Sequence, residues 1–284
     1  MRNPFCYNCN LWDDGVVPYE FDENVNQVKK INTIRAMRVI ESLGNVHFVP
    51  RESQFTYLLI EDSDEGNSSN HIGKGLGRQK IKLLNWESQS IIIHELFHVL
   101  GFHHEQQRQD RDNYVTIIEE NICSGYLHNF EYENTGVTDN IPYDFLSIMH
   151  YPKDAFGMCN NMKDCSDKYC GRLPTIIVNS NYRQYQNSIG NRRYLSFQDS
   201  FMVSAIYPYP NSIYINCKFE PTFFGPSGDG TSLQSPRIHF NELNYYKYDF
   251  DYHVYIMPGV YSDSKGIYSR RFKIEAPFGD VIIK

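Results

Sequence analysis

The sequence predicts an α+β fold with a β-rich appendage, and three observations carry that prediction. Apolar residues recur at helical spacing between residues 25 and 40, strand-like stretches follow and recur near residue 80, and a mostly apolar helical run spans Ser90 to Leu100. Beyond residue 210 the pattern turns to short alternating stretches.

Trp12 to Phe21 reads as a short extended segment interrupted by Gly15 and Pro18. Asp22, Glu23 and Asn24 supply a helix start. Val25, Val28, Ile31, Ile34 and Ile40 then recur among Lys29, Lys30, Arg35 and Arg38, predicting an amphipathic helix stopped by Gly44. Val46 to Val49 and Phe55 to Ile60 read as strands, the second nearly continuous in apolar residues. Residues 61 to 71 are polar and turn-like. After Gly73-Lys74-Gly75-Leu76-Gly77, the stretch Gln79 to Leu84 alternates Ile81 and Leu83 with Lys80 and Lys82, the mark of a half-buried or edge strand. The run from Ser90 ends at Gly101. Regular structure thins from 102, residues 152 to 192 read as long loops, and Leu195 to Ile206 predicts a closing helix. Composition shifts after Tyr207-Pro208-Tyr209-Pro210, so the expected domains are 1–210 and a small β-rich extension, 211–284, with stretches such as His253 to Ile256. No internal repeat or heptad is present.

Hydrophobic residues make up 41% and aromatics 15% of the 284 residues, enough for a core and against global disorder. The formal charge of −7 is mixed along the chain, and no basic block offers a nucleic-acid contact. No apolar run approaches the roughly 20 residues that cross a bilayer. The opening Met1-Arg2-Asn3-Pro4-Phe5-Cys6 lacks the apolar region of a secretory signal, which alone points to the cytosol. The cysteines point outside the cell: Cys6 and Cys9 lie close together, and Cys159, Cys165 and Cys170 share one polar loop. These five are the disulfide candidates of a secreted protein, although three thiolates in one loop leave zinc ligation open. Cys123 and Cys217 stand alone; with seven cysteines at least one is unpaired within the chain, and Cys123 as a small buried thiol is the expectation. Asn67-Ser68-Ser69 is a glycosylation sequon.

The chemistry lies in His94-Glu95-Leu96-Phe97-His98. Four residues are a little more than one helical turn, so both imidazoles project from one face toward a common point. Glu95 can address a water on the same metal. Gly101 lets the chain leave the helix in a conformation that a side chain would penalise, and the turn brings His104 back as a third nitrogen ligand. Three protein ligands leave a position for water, as hydrolysis needs. A lone histidine on an apolar helix is usually an ordinary hydrogen-bonded residue. Five fixed positions together arise by accident in well under about one in a thousand chains. His103 neighbours His104 and is the alternative ligand; the spacing after Gly101 favours His104, and His103 is expected at the surface.

Over these residues the chain resembles the metzincins, and within them the astacin family. The match runs Ile92-Ile93-His94-Glu95-Leu96-Phe97-His98-Val99-Leu100-Gly101-Phe102-His103-His104-Glu105, then Arg108, Asp110-Arg111-Asp112 and Tyr114-Val115. Glu105 directly after the third histidine marks astacins among metzincins. Tyr143-Asp144-Phe145-Leu146-Ser147-Ile148-Met149-His150-Tyr151 corresponds to the family's Met-turn. Trp12, Gly15 to Tyr19, Ala36 to Phe48, Gly77 to Leu83 and Ile189 to Asp199 match in register, so the resemblance covers about residues 10 to 210. It implies a metzincin-like two-lobed catalytic domain with a small twisted sheet, a zinc helix and a Met-turn, acting as a zinc endopeptidase on protein or peptide substrates. One catalytic Zn²⁺ would be held by His94, His98 and His104, with Glu95 as general base. Met149 would floor the site and His150 would be structural. Tyr151 would be an extra metal ligand that swings away when substrate binds and donates its hydroxyl to the oxyanion. Glu105 would anchor the mature N-terminus or the helix beneath the site. Gln79, Lys80, Ile81, Lys82 and Leu83 would form the cleft's edge strand, pairing with an extended peptide.

The departures are specific. Asn45 and Tyr209 stand where the family's first disulfide is expected, and the second, around Ser68 and Trp86, is also replaced; each lost bridge costs about 2 to 4 kcal/mol. The inhibitory propeptide is expected to be absent from this sequence, which starts near where mature relatives start; Phe278-Gly279-Asp280 only faintly resembles its zinc-blocking motif. Two rivals follow: a catalytically inactive metal-containing binding protein of the same fold, and a purely structural zinc protein.

Overall fold

The computed structural model describes residues 10–133, 142–160, 165 and 170–208, and five short strands beyond them as backbone. The first half builds a five-stranded sheet from Val16–Phe21 (β1), His47–Pro50 (β2), Tyr57–Asp62 (β3), Ser68–Ser69 (β4) and Arg78–Leu83 (β5), in the order β2-β1-β3-β5-β4. All pairs are parallel except β4 with β5, which is antiparallel. In β3, Tyr57, Leu58, Leu59 and Ile60 are all buried, as befits a central parallel strand. In β5, Gln79, Ile81 and Leu83 are buried and alternate with residues facing outward, as their period of two predicts.

Gln27–Glu41 (α1) and Gln89–Leu100 (α2) pack on each other. The Asn26 side chain caps α1 by accepting from Lys29 N at 3.0 Å, two residues beyond the expected start; Asp22 instead accepts from Asn24 N at 3.0 Å within a turn. The buried face of α1 is Thr33, Ala36, Met37 and Ile40, whereas Val28 is 60% and Ile31 40% exposed. The expected face is thereby corrected: steps of three residues turn a helix by about 300°, so the run 25-28-31-34 drifts around the surface. The helix ends at Glu41, and Gly44 serves a different purpose. A Cβ there would lie 2.9 Å from the Tyr207 carbonyl oxygen and 3.0 Å from that of Val203.

Phe197–Ile206 (α3) closes the described domain, as the pattern from Leu195 predicts. Its N-terminus is a capping box in which Ser196 and Asp199 each accept from the other's backbone nitrogen, both at 2.9 Å. Two hydrophobic clusters result. The larger joins the sheet, all three helices, Ile148 and Met149; the smaller gathers Val115, Ile122, Phe130, Tyr143, Phe145, Ile176, Val178 and Ile189.

The described residues between 152 and 192 are more ordered than loops. Val115–Ile117 (β6) pairs antiparallel with Ile176–Val178 (β7), and residues 180–185 form a 3-10 helix. Two disulfides brace this part, Cys123–Cys165 and Cys159–Cys170. Cys123 is therefore bonded and not free: backbone pairing of Ile122 with Gly157 and Cys123 N with Phe156 O brings it to the cysteine-bearing loop. Cys6, Cys9 and Cys217, the N-terminus that Glu105 is expected to anchor, Tyr209 and Phe278 to Asp280 lie outside the described residues. At the place of the first expected disulfide, Asn45 N donates to Tyr207 O at 2.8 Å. Near the second, Trp86 is buried and its Nε1 donates to Asp62 at 2.7 Å.

In the extension, Ser212–Ile215 (β8), Tyr252–Ile256 (β9) and Phe272–Glu275 (β11) form one parallel sheet in the order β11-β9-β8, and Gly259–Tyr261 (β10) pairs parallel with Val281–Ile283 (β12). Among the described residues, no helix is long and apolar enough to cross a membrane.

Candidate metal centre

Helix α2 starts at Ser88, whose hydroxyl accepts from Ile91 N, and all residues from Ile92 to Leu100 are buried. Its C-terminus accounts for each of its last four carbonyls. Phe102 N donates to Phe97 O at 3.0 Å and Gly101 N to His98 O at 3.0 Å, with Gly101 at φ +107°, which is a Schellman motif. Its usual apolar clasp is present, since the Phe97 and Phe102 rings stack at 4.8 Å. Gly73 N also reaches His98 O at 2.9 Å. Val99 O accepts from Trp12 Nε1 at 2.9 Å and Leu100 O from the Tyr207 hydroxyl at 3.0 Å. Opposite ends of the domain thus hold the end of the helix that carries the site.

The turn at Gly101 delivers His104 to His94 and His98. The His104 Nε2 atom lies 3.2 Å from that of His98 and 3.3 Å from that of His94. Each Nδ1 faces a fixed carbonyl oxygen: His94 to Ile148 O at 2.8 Å, His98 to Phe102 O at 2.7 Å and His104 to Gln107 Oε1 at 3.2 Å. A carbonyl only accepts, so every Nδ1 carries the proton and every Nε2 presents a lone pair. Burial lowers all three histidines, His98 to about 4, which keeps them neutral. Three lone pairs this close repel one another unless a cation lies between them. Zinc–nitrogen bonds of about 2.0–2.1 Å in a tetrahedron separate nitrogens by about 3.3–3.4 Å, so the residues fit that ion.

Glu95 is 5% exposed, and its Oε2 is buried without a protein hydrogen-bond partner. Burial raises its carboxyl to about 8, with Arg192 pulling the other way. An acceptor left open in a protein interior is a place for a water or a substrate group.

The segment 143–151 meets the histidines through Ile148 and Tyr151. Met149 is 1% exposed and sits in the larger core cluster, and Met149 O accepts from Glu105 N at 3.2 Å. His150 is fully buried; its Nε2 meets the Tyr143 hydroxyl at 2.8 Å and its Nδ1 donates to Tyr151 O at 2.7 Å, a packing role. The Tyr151 ring lies 4.3 Å from the His104 ring, tilted by 54°. Burial raises its phenol to about 12. Glu105 Oε1 accepts from Arg108 and from Asp144 N, both at 2.8 Å, tying the third-histidine loop to the start of the segment 143–151.

Several expectations change. β5 is not at the sheet edge. Ser68 and Ser69 pair with Lys82 and Ile81, Asn70 N donates to Lys80 O, and Asn67 Oδ1 accepts from Leu84 N, so the outer side of β5 is covered. The Gln79 side chain instead spans Gly73 O and Gly75 N, each at 2.8 Å, holding the glycine loop. His103 is 8% exposed rather than superficial; Glu133 N donates to Gln107 O and brings its carboxylate 3.6 Å from His103 Nδ1. The sequon nitrogen of Asn67 donates to Asn85 Oδ1 at 2.7 Å.

Three residues escape sequence reasoning. Arg192 Nη1 donates to Ile148 O, His150 O and Asn191 O, placing a half-buried cation against residues 148–150. The signal is Gly190, where a Cβ would lie 2.3 Å from Pro152 Cα, which lets residues 190–192 press against the turn. Asp199 accepts from Ser147 Oγ at 2.6 Å and from Ile148 N at 2.9 Å, anchoring the residue whose carbonyl faces His94. Gln106, fully buried, accepts from Tyr151 N at 3.1 Å.

Comparison with known proteins agrees with this geometry. The family model for Astacin, a peptidase family, matches residues 6–208. The chain is 34% identical over 219 residues to zinc metalloproteinase nas-14 of Caenorhabditis elegans, covering 73% of this chain and 40% of that protein. It is 34% identical over 205 residues to human Tolloid-like protein 1, covering 70% of this chain and 19% of that one. The chain thus spans two fifths or less of the length of these relatives. Among solved structures, high choriolytic enzyme 1, a hatching enzyme zinc-protease from Oryzias latipes, matches with TM-score 0.60 and 30% identity over 71% of this chain and 94% of its own.

Proposed function

Since this chain belongs to the astacin family of peptidases, we propose that it is a zinc-dependent endopeptidase that cleaves internal peptide bonds with Glu95 as general base. One observation carries the reading: three fixed imidazole lone pairs converge beside a buried carboxylate oxygen that lacks a protein partner.

His94, His98 and His104 would hold the ion. Bound there, zinc would polarise the scissile carbonyl and bring the pKa of a water toward neutrality. Glu95 takes that water's proton and passes it to the leaving amine nitrogen, acting first as base and then as acid. The Tyr151 hydroxyl, protonated throughout the neutral range, donates a hydrogen bond to the oxygen on which negative charge gathers. Met149 supplies the apolar floor, and Asp199, Arg192 and the Ile148 peptide hold His94 in orientation. A substrate strand would meet the segment carrying β4, because β5 is covered. The match ending at residue 208 supports a protease unit of 1–210 and a separate extension, 211–284. The two disulfides support a secreted protein.

Digestion of a broad peptide library with and without chelator tests the reading. Chelator-sensitive cleavage at internal bonds is expected from the wild type. Glu95→Gln should keep zinc and lose cleavage by about 10²–10⁴-fold. Zinc retained by a wild-type protein that cleaves nothing would return the inactive binding protein as the better account.

A further inference from the structure

Phe156 has φ +54°, one of two non-glycine residues with positive φ among the described residues. For an aromatic side chain this is a strained conformation that persists only when its surroundings impose it. They do so here from both sides. Phe156 O accepts from Cys123 N at 2.8 Å, and the next residue, Gly157, pairs with Ile122. A Cβ on Gly157 would lie 2.2 Å from Leu173 O, so the segment at 157–159 is pressed against 171–173. Disulfides at Cys123 and Cys159 tether both segments.

The strain aims the ring. Phe156 lies 5.6 Å from the Tyr151 ring, 6.2 Å from Phe130 and 4.9 Å from Tyr126, on which it stacks. Phe130 meets Tyr151 edge-on at 5.8 Å and 81°. With His104 at 4.3 Å, the tyrosine ring is enclosed by three aromatic neighbours, and its backbone nitrogen is fixed by Gln106. An apolar wall holds a ring without competing for its hydroxyl, so the hydroxyl's position is set while its hydrogen-bonding capacity stays free.

We propose that Phe156 is a positioning residue for catalysis, which together with Phe130 forms an aromatic seat that fixes the resting place of the Tyr151 ring beside His104. This rests on the reading of Tyr151 as the oxyanion donor. Phe156 itself does no chemistry. Its backbone conformation, held by the braced segment 157–159, keeps its ring as a fixed wall against the Tyr151 ring.

The test is a double-mutant cycle on the zinc-loaded full chain. Glycine adopts positive φ freely, so Phe156→Gly removes the ring while relieving the backbone. Its kcat should fall about tenfold or more, with KM and zinc content unchanged; Phe156→Tyr, which restores a flat ring, should recover most of the loss. In a Tyr151→Phe background, Phe156→Gly should cost nothing further. A crystal structure of Phe156→Gly should show the Tyr151 ring displaced from its contact with His104. Additive losses in the cycle, or an unmoved Tyr151 ring, overturn the proposal while leaving the role of Tyr151 intact. A wild-type kcat for Tyr151→Phe alone removes the reading of Tyr151 and the seat with it. Where Phe156→Gly fails to fold, Phe156→Leu, apolar but not flat, carries the same cycle.

Discussion

Replacing Asp199 perturbs the site without touching a histidine. Its carboxylate is deeply buried and receives Ser147 Oγ at 2.6 Å, Ile148 N at 2.9 Å and Ser196 N at 2.9 Å. In Asp199→Ala the hydroxyl can turn elsewhere, but two backbone N–H groups are stranded. At about 1–3 kcal/mol each, the loss is about 2–6 kcal/mol. Asp199→Asn can set its one acceptor oxygen where Oδ2 takes both Ile148 N and Ser196 N, so its loss should be smaller, about 0.5–1.5 kcal/mol. The pH dependence separates the carboxylate's hydrogen bonds from its charge. Burial, with repulsion from Asp144, pushes Asp199 up to about 7, against about 3.9 in an unfolded chain. Between those values the folded protein keeps a proton that the unfolded chain has released, so wild-type stability falls as pH rises through that window. Asp199→Asn does not titrate there. Its deficit against wild type should therefore shrink, by on the order of 1–2 kcal/mol, between about pH 5.5 and about pH 8. Urea unfolding of the metal-free proteins at both pH values measures this without the pH dependence of zinc binding. Because the Ile148 carbonyl orients His94, zinc affinity of Asp199→Ala should also fall by about 10–100-fold. A deficit that widens with pH, or Asp199→Ala within about 1 kcal/mol of wild type, would refute the reasoning.

Stripping the metal should lower the melting temperature by about 10 °C relative to protein in zinc at a thousandfold excess over Kd, a linkage of about 4 kcal/mol; equal melting with and without chelator would show that the three imidazoles hold no ion. Gly190→Ala places a Cβ 2.3 Å from Pro152 Cα at φ +78°, and should cost more than about 2 kcal/mol and weaken zinc binding; calorimetry and a zinc titration report both. Tyr207→Phe leaves the buried Leu100 carbonyl without its 3.0 Å donor and should cost about 1–3 kcal/mol. Amide exchange of that variant should quicken at the end of α2 and not in β6 and β7; uniform quickening would count against local anchoring.

The histidine cluster that could hold a metal is legible in the sequence because it is local: two histidines one turn apart, a glycine that ends the helix and a third histidine on the returning chain. Met149, His150 and Tyr151 come from resemblance; the structure buries the first two and sets the Tyr151 ring beside that of His104. The face of α1 misleads because Val28 and Ile31 are apolar yet outward, and Thr33 is polar yet buried. β5 looks like an edge because its cover, Ser68–Ser69 and Asn67, is short and polar and leaves no hydrophobic trace. Cys123 looks solitary because its partner is 42 residues away and is brought near only by backbone pairing. Arg192 and Asp199 act through the peptide of Ile148, a relation that no spacing in one segment encodes.

The central sheet shows little of itself at either rim. On one side β4 is two residues long and on the other β2 is four residues ending in a proline. Unpaired strand rims are where copies of a protein template one another into aggregates, and brevity and proline blunt that tendency. A second copy of the chain would find two residues at one rim and four at the other to pair with, so the sheet that supports the histidine-bearing helix carries its own guard against clumping.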